Sequence, residues 1–78
     1  MLLRIVNVVK STDSLITVAV DTKDGIIEID SPASLFNGEA IFVNGVVERI
    51  ESFVYVTLPV KTKTGMSRIW VKQHSLME

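Results

Sequence analysis

Cysteine is absent from this chain, so neither a disulfide nor a thiolate metal site can staple it, and its redox compartment stays open. Histidine occurs once, at His74, which excludes a pair of imidazoles at metal-binding spacing, and no cysteine nucleophile exists to partner it. The sequence holds no G-x-S-x-G elbow and no glycine-rich phosphate loop. It has no apolar run long enough to cross a bilayer as a helix. The opening Met1-Leu2-Leu3-Arg4 lacks the charged region, apolar stretch and small-residue cleavage site of a signal peptide, which favours a cytoplasmic protein. Together these absences imply a protein that is not an enzyme, uses no cofactor and no metal, and has no membrane association.

What is present is a chain of 78 residues with 47% apolar side chains, spread as short Val/Ile/Leu runs. That length makes one domain, residues 1–78, near the lower end of independent stability, and self-association would supplement it. Apolar packing must supply the stability. The runs are rich in β-branched residues and several alternate with period two, which predicts strands. Ile16, Val18 and Val20 point one way while Leu15, Thr17 and Ala19 point the other. Val54, Val56 and Leu58 repeat the pattern against Phe53, Tyr55 and Thr57.

The same grammar occurs twice. A Val-Asn pair (Val6-Asn7, Val43-Asn44), an acid-Ser turn (Asp13-Ser14, Glu51-Ser52), a further strand, a Lys/Thr turn closed by glycine (Gly25, Gly65) and a Ser-Leu ending (Ser34-Leu35, Ser75-Leu76) recur in one order. The repeats run from about 4 to 35 and from about 42 to 76. A unit of that size cannot bury a sheet face alone, so the two should pack about a pseudo-twofold axis. The expected fold is all-β: a small six-stranded barrel of two β-β-β-turn repeats, whose closure would remove exposed edge strands. Asp21 to Gly25 reads as a hairpin of three to five residues, and Pro59 should end the strand before it. One short helical turn is expected near 32–36, with Ser31 as cap, Pro32 at its first position and Asn37-Gly38 as its left-handed stop. Gln73 to Leu76 has room for a similar turn.

Charge is nearly balanced overall but divided between the halves. Residues 1–40 carry Arg4, Lys10 and Lys23 against Asp13, Asp21, Asp24, Glu28, Asp30 and Glu39. Residues 41–78 carry Arg49, Lys61, Lys63, Arg68 and Lys72 against Glu48, Glu51 and Glu78. An anionic partner should therefore meet the second half. Asp21, Asp24, Glu28 and Asp30 offer oxygen ligands but lack the ordered spacing of a calcium loop, and they read as turn acids and a solvated strand face.

Phe42, Phe53, Tyr55 and Trp70 also fall in the second half. Trp70 alternates with Arg68 and Lys72, so a hairpin of the two strands places Phe53, Tyr55, Arg68, Trp70 and Lys72 on one surface of rings and cations. At the matching positions the first repeat has Leu15, Thr17, Glu28 and Asp30. Rings and cations together suit a protein interface, where Tyr, Trp and Arg are enriched. They also suit a barrel that stacks the bases of single-stranded nucleic acid. Negative net charge weakens the counterion-release term behind nucleic-acid affinity, so protein binding or self-assembly ranks slightly ahead. A third reading makes Tyr55 and Trp70 a structural cross-strand pair covering a barrel opening.

Residues Gly25 to Pro32, followed by Ile41-Phe42-Val43-Asn44-Gly45 and Glu48-Arg49, resemble the strand pattern of flagellar-switch and type III secretion C-terminal domains. The resemblance covers less than half of the chain and implies an intertwined β dimer. It departs at Ile50, where that pattern has glycine, and at the N-terminal strand. The ending Ile69-Trp70-Val71 through Leu76 resembles SH3-like barrels. The chain is assigned to neither family.

Overall fold

The computed structural model describes residues 1–77. Its strands are β1 (Leu2–Arg4), β2 (Asn7–Ser11), β3 (Leu15–Thr22), β4 (Gly25–Pro32), β5 (Ala40–Phe42), β6 (Gly45–Ile50), β7 (Phe53–Thr57), β8 (Arg68–Lys72) and β9 (Leu76–Met77). The helical content among the described residues is two 3-10 turns, Ala33–Leu35 and Gln73–Ser75. Every named pairing is antiparallel. The all-β expectation holds.

Period-two alternation sorts β7 as the sequence predicts, while β3 is buried on both faces, with Thr17 and Ala19 covered as well. Ile16, Val18 and Val20 of β3, with Val54, Val56 and the following Leu58 from β7, are all buried. Ile29, Ile69 and Val71 join them, and so do Leu3 and Ile41, making one core shared by both halves. Burying an aliphatic side chain of this size contributes about 1.5–3 kcal/mol relative to leaving it in water.

The sheet does not close. Its order is β2-β3-β8-β7-β6, with β4 on the other side of β3. Between the halves, β3 meets β8 at one register pair, Thr22↔Val71, reinforced by the Lys23 N–H donating to the Trp70 carbonyl at 2.9 Å. The expected six-stranded barrel is thus corrected to an open sheet whose outer strands are β2, β4 and β6, each paired on one side only. A second sheet, β5-β1-β9, joins the N-terminal, middle and C-terminal segments. Two of the outer strands, β2 and β6, are interrupted by bulges, while β4 pairs with β3 in unbroken register. The register shifts between Val8 and Lys10 on β2, and between Val46 and Glu48 on β6, which disrupts each of these two strands as a template for further pairing.

Local turns differ from the sequence reading in their capping. Ser31 lies buried in β4 and its hydroxyl donates to the Pro32 carbonyl, so it does not cap the 3-10 turn that follows. Pro32 directly precedes that turn, and Gly38, at φ +103°, reverses the chain beyond it. The Asn37 Oδ1 accepts the Glu39 and Ala40 N–H groups at 3.1 and 2.9 Å. The β3–β4 hairpin is tighter than expected: Thr22 faces Gly25 directly, with Lys23-Asp24 between them, and Gly25 has φ +109°. The Thr22 Oγ1 accepts the Asp24 N–H at 3.2 Å, leaving Asp21 free for a partner in the other half. β7 ends at Thr57, short of Pro59, as predicted.

Several backbone hydrogen bonds occur in matched sets. Val6 N–H donates to Ala19 at 2.8 Å, and Asn44 N–H to Thr57 at 2.9 Å. Ala33 N–H donates to Ser14 at 3.0 Å, and Gln73 N–H to Ser52 at 2.8 Å. Ile5 N–H reaches Glu39 at 3.1 Å while Val43 N–H reaches Met1 at 3.0 Å, so the halves exchange bonds reciprocally. Among the described residues no helix is long and apolar enough to cross a membrane.

Candidate functional site

The hairpin of β7 and β8 sets the site by register. Tyr55 lies directly opposite Trp70, Phe53 opposite Lys72, and Thr57 opposite Arg68. Since Val54, Val56, Ile69 and Val71 fill the core, these six side chains share the outer face. The structure therefore brings together all five residues singled out from the sequence: Phe53, Tyr55, Arg68, Trp70 and Lys72. Arg68 is exposed; Phe53, Tyr55, Trp70 and Lys72 are half-buried.

Tyr55 and Trp70 stack across the strands, with ring centroids 4.7 Å apart and planes inclined by 23°. The stack forms a row of two half-buried rings across the outer face. Lys23, at the tip of the β3–β4 hairpin, lies 5.9 Å from the centre of the Phe53 ring, within cation–π range. The same hairpin sends the Asp21 carboxylate to the Lys72 ammonium at 3.1 Å. The first half thus grips the outer face of the second.

Two hollows result. The larger, about 230 Å³, lies between Thr22, Asp24 and Ile27 of the hairpin and Tyr55, Met66, Arg68 and Trp70 of the second half. The smaller, about 50 Å³, is bounded by Lys23, Ile50, Phe53 and Trp70. Met66 is also exposed, which adds an adaptable apolar side chain to the rim of the larger hollow.

Sequence reasoning missed several of these groups. Asp21, Asp24, Lys23 and Ile27 come from the acidic half and reach the face only because the β3–β4 hairpin crosses to β8. Glu48 sits opposite Tyr55 in the β6–β7 register and so continues the row of rings with a carboxylate. The two-residue turn Glu51-Ser52 carried that signal, since it fixes Ile50 opposite Phe53 and Glu48 opposite Tyr55. Around the rings, the cations Lys23, Arg68 and Lys72 are accompanied by the carboxylates Asp21, Asp24 and Glu48.

The corresponding face of the first half is built of other chemistry. Thr17 and Asp30 pair across β3 and β4, with the Thr17 hydroxyl donating to the Asp30 carboxylate at 2.6 Å. Lys10 faces Thr17 from β2. Glu28, Asp30, Lys10 and Lys63 line a hollow of about 230 Å³ there, without an aromatic ring. The acids considered as cation ligands divide between two places: Asp21 binds Lys72 and Asp24 faces the ring cleft, while Asp30 binds Thr17 and shares the other hollow with Glu28. Among the described residues no cluster of His, Cys, Asp or Glu is arranged to hold a metal ion.

No protein-family model, curated protein or solved structure matches the chain, so the site rests on its own geometry.

Proposed function

We propose that this chain is a non-enzymatic binding or assembly module that docks a protein partner on the outer face of β7 and β8. The observation that carries the reading is the half-buried Tyr55–Trp70 stack beside exposed Arg68, opening onto a cleft walled by both halves. Tyr, Trp and Arg gathered around a concave apolar site are the composition of an interface centre.

Charge favours this reading over single-stranded nucleic acid. A nucleic-acid groove needs uncompensated cations along the strand path. Here Lys72 is held by Asp21, Asp24 shares the cleft with Arg68, and Glu48 stands beside Tyr55. Rings remain available for stacking while the phosphate-binding term is largely cancelled, which favours protein.

The architecture supporting the face is, in this reading, a duplicated β-β-β-turn unit with a pseudo-twofold axis through the Leu3↔Ile41 pair. The matched hydrogen bonds, the two bulges and the two 3-10 turns support it. One copy kept a polar Thr17–Asp30 pair where the other acquired Tyr55–Trp70. The test is the double variant Arg68→Ala/Trp70→Leu. It should keep the β circular-dichroism spectrum and lose capture of the partner that the wild type retains; unfolding of the variant would assign these residues to structure.

A further inference from the structure

We propose that the ring face takes an extended peptide segment carrying a bulky apolar residue and, two positions away, an acidic one. The inference rests on the protein-binding reading above and names its ligand.

The first argument is pitch. The outer face is ordered in rows across the strands: Thr57–Arg68, then Glu48–Tyr55–Trp70, then Ile50–Phe53–Lys72. The larger hollow takes Arg68 from the first row and Tyr55 and Trp70 from the second, and opens beside them where Thr22, Asp24 and Ile27 of the β3–β4 hairpin meet β8. The smaller is bounded by Trp70, Phe53 and Ile50, and so opens between the second and third. Successive rows on one face of a sheet are two residues apart, about 6.6–6.8 Å along the strand. A peptide lying extended over the face, along the strand direction, repeats its own side chains at that same pitch. Its residues i and i+2 then straddle the row of rings.

The second argument is size. The larger hollow, about 230 Å³, has Ile27, Ile69 and Met66 among its walls together with both rings. It suits a leucine, methionine or aromatic side chain. The smaller, about 50 Å³, has room for only a few water molecules or a group of carboxylate size. The two hollows therefore differ in the size of group they enclose.

The third argument is charge. Lys23 stands at the smaller hollow. Its side chain contacts the Phe53 ring, and no carboxylate pairs with it among the described residues. Lys72, in the same row as Phe53, is already engaged by Asp21. The cation open to a ligand at that hollow is thus Lys23, and its complement is an acidic side chain. The larger hollow has Asp24 and Arg68 on its walls together, which gives it no preference for a charged occupant.

The experiment titrates the intact protein with short synthetic peptides, followed by Trp70 emission. The series holds Trp-free peptides with Leu and Asp two positions apart in either order, the same peptides with Asp replaced by Lys, and with Leu replaced by Ala. Leu→Ala in the peptide should weaken binding at least about tenfold, as loss of an interface anchor does. Asp→Lys should weaken it by about twofold to fivefold in the wild type, the range of an exposed ion pair. In the Lys23→Glu variant the preference should reverse, with the Lys peptide binding more tightly. Lys23 is an exposed turn residue, and an unchanged circular-dichroism spectrum checks that the variant keeps the fold.

Equal binding of the Asp and Lys peptides by both proteins would overturn the acidic specificity. Binding that ignores the Leu→Ala change would overturn the anchor. Should none of these peptides bind while another protein ligand is lost on Arg68→Ala/Trp70→Leu, the inference fails and the protein-binding reading stands. Quenching by a mixed-sequence oligonucleotide alone, reversed by salt, would overturn both.

Discussion

Leu3 of β1 pairs directly with Ile41 of β5, and both side chains are completely buried. Each is the middle residue of a three-residue strand, and Leu3 also pairs with Leu76 of β9. Such short strands are held by their side chains more than by their few ladder bonds. Truncation at this point removes packing from both halves together. Ile41→Ala should cost about 2–5 kcal/mol, the range for emptying a buried aliphatic site. Urea unfolding followed in parallel by circular dichroism and by Trp70 emission should give coincident transitions, because one core serves the entire chain. Separate transitions would mean that the halves fold independently.

The Lys72–Asp21 pair is the ionic contact through which the first half meets the ring face. Its side chains remain 42% and 26% exposed, so solvent screens much of the attraction. Lys72→Met should lower stability by less than about 1 kcal/mol, and the loss should shrink as salt is raised. Denaturation midpoints of both proteins at low and high salt check this. A loss several times larger would mean that the hairpin depends on the ion pair to reach β8.

Tyr55 and Trp70 contribute to the sheet as well as to the proposed docking face. A double-mutant cycle with Tyr55→Leu and Trp70→Leu should yield a coupling of about 0.5–1.5 kcal/mol, as stacked aromatic pairs give beyond their buried area. Equilibrium unfolding of the four proteins measures it. Coupling near zero would show that the rings rest together without stabilising each other.

Much of the fold was legible because its signals are local. Alternation along Leu15–Thr22 and Phe53–Thr57 placed the core face correctly, and Ile69 and Val71 against Arg68 and Trp70 placed the site face. Pro59 and Gly38 marked chain breaks as expected. Closure was misjudged because it depends on how far strands reach past one another, and the single Thr22↔Val71 pair is a long-range event with no local pattern. Ser31 looked like a cap because serine before proline often is one, yet the core took it into β4. The site was legible in its rings and cations. Its carboxylates were not, because Asp21 and Asp24 arrive from the other half of the chain.

The central claim is that the outer face of β7 and β8 docks protein. Selection of a displayed random-peptide library on the wild-type protein, with counter-selection on the folded Arg68→Ala/Trp70→Leu variant, tests it most directly. The account predicts peptides enriched on the wild type whose binding shifts Trp70 emission and is lost on the variant. Peptides that bind both proteins equally, or no enrichment alongside salt-sensitive quenching by oligonucleotide, would contradict it.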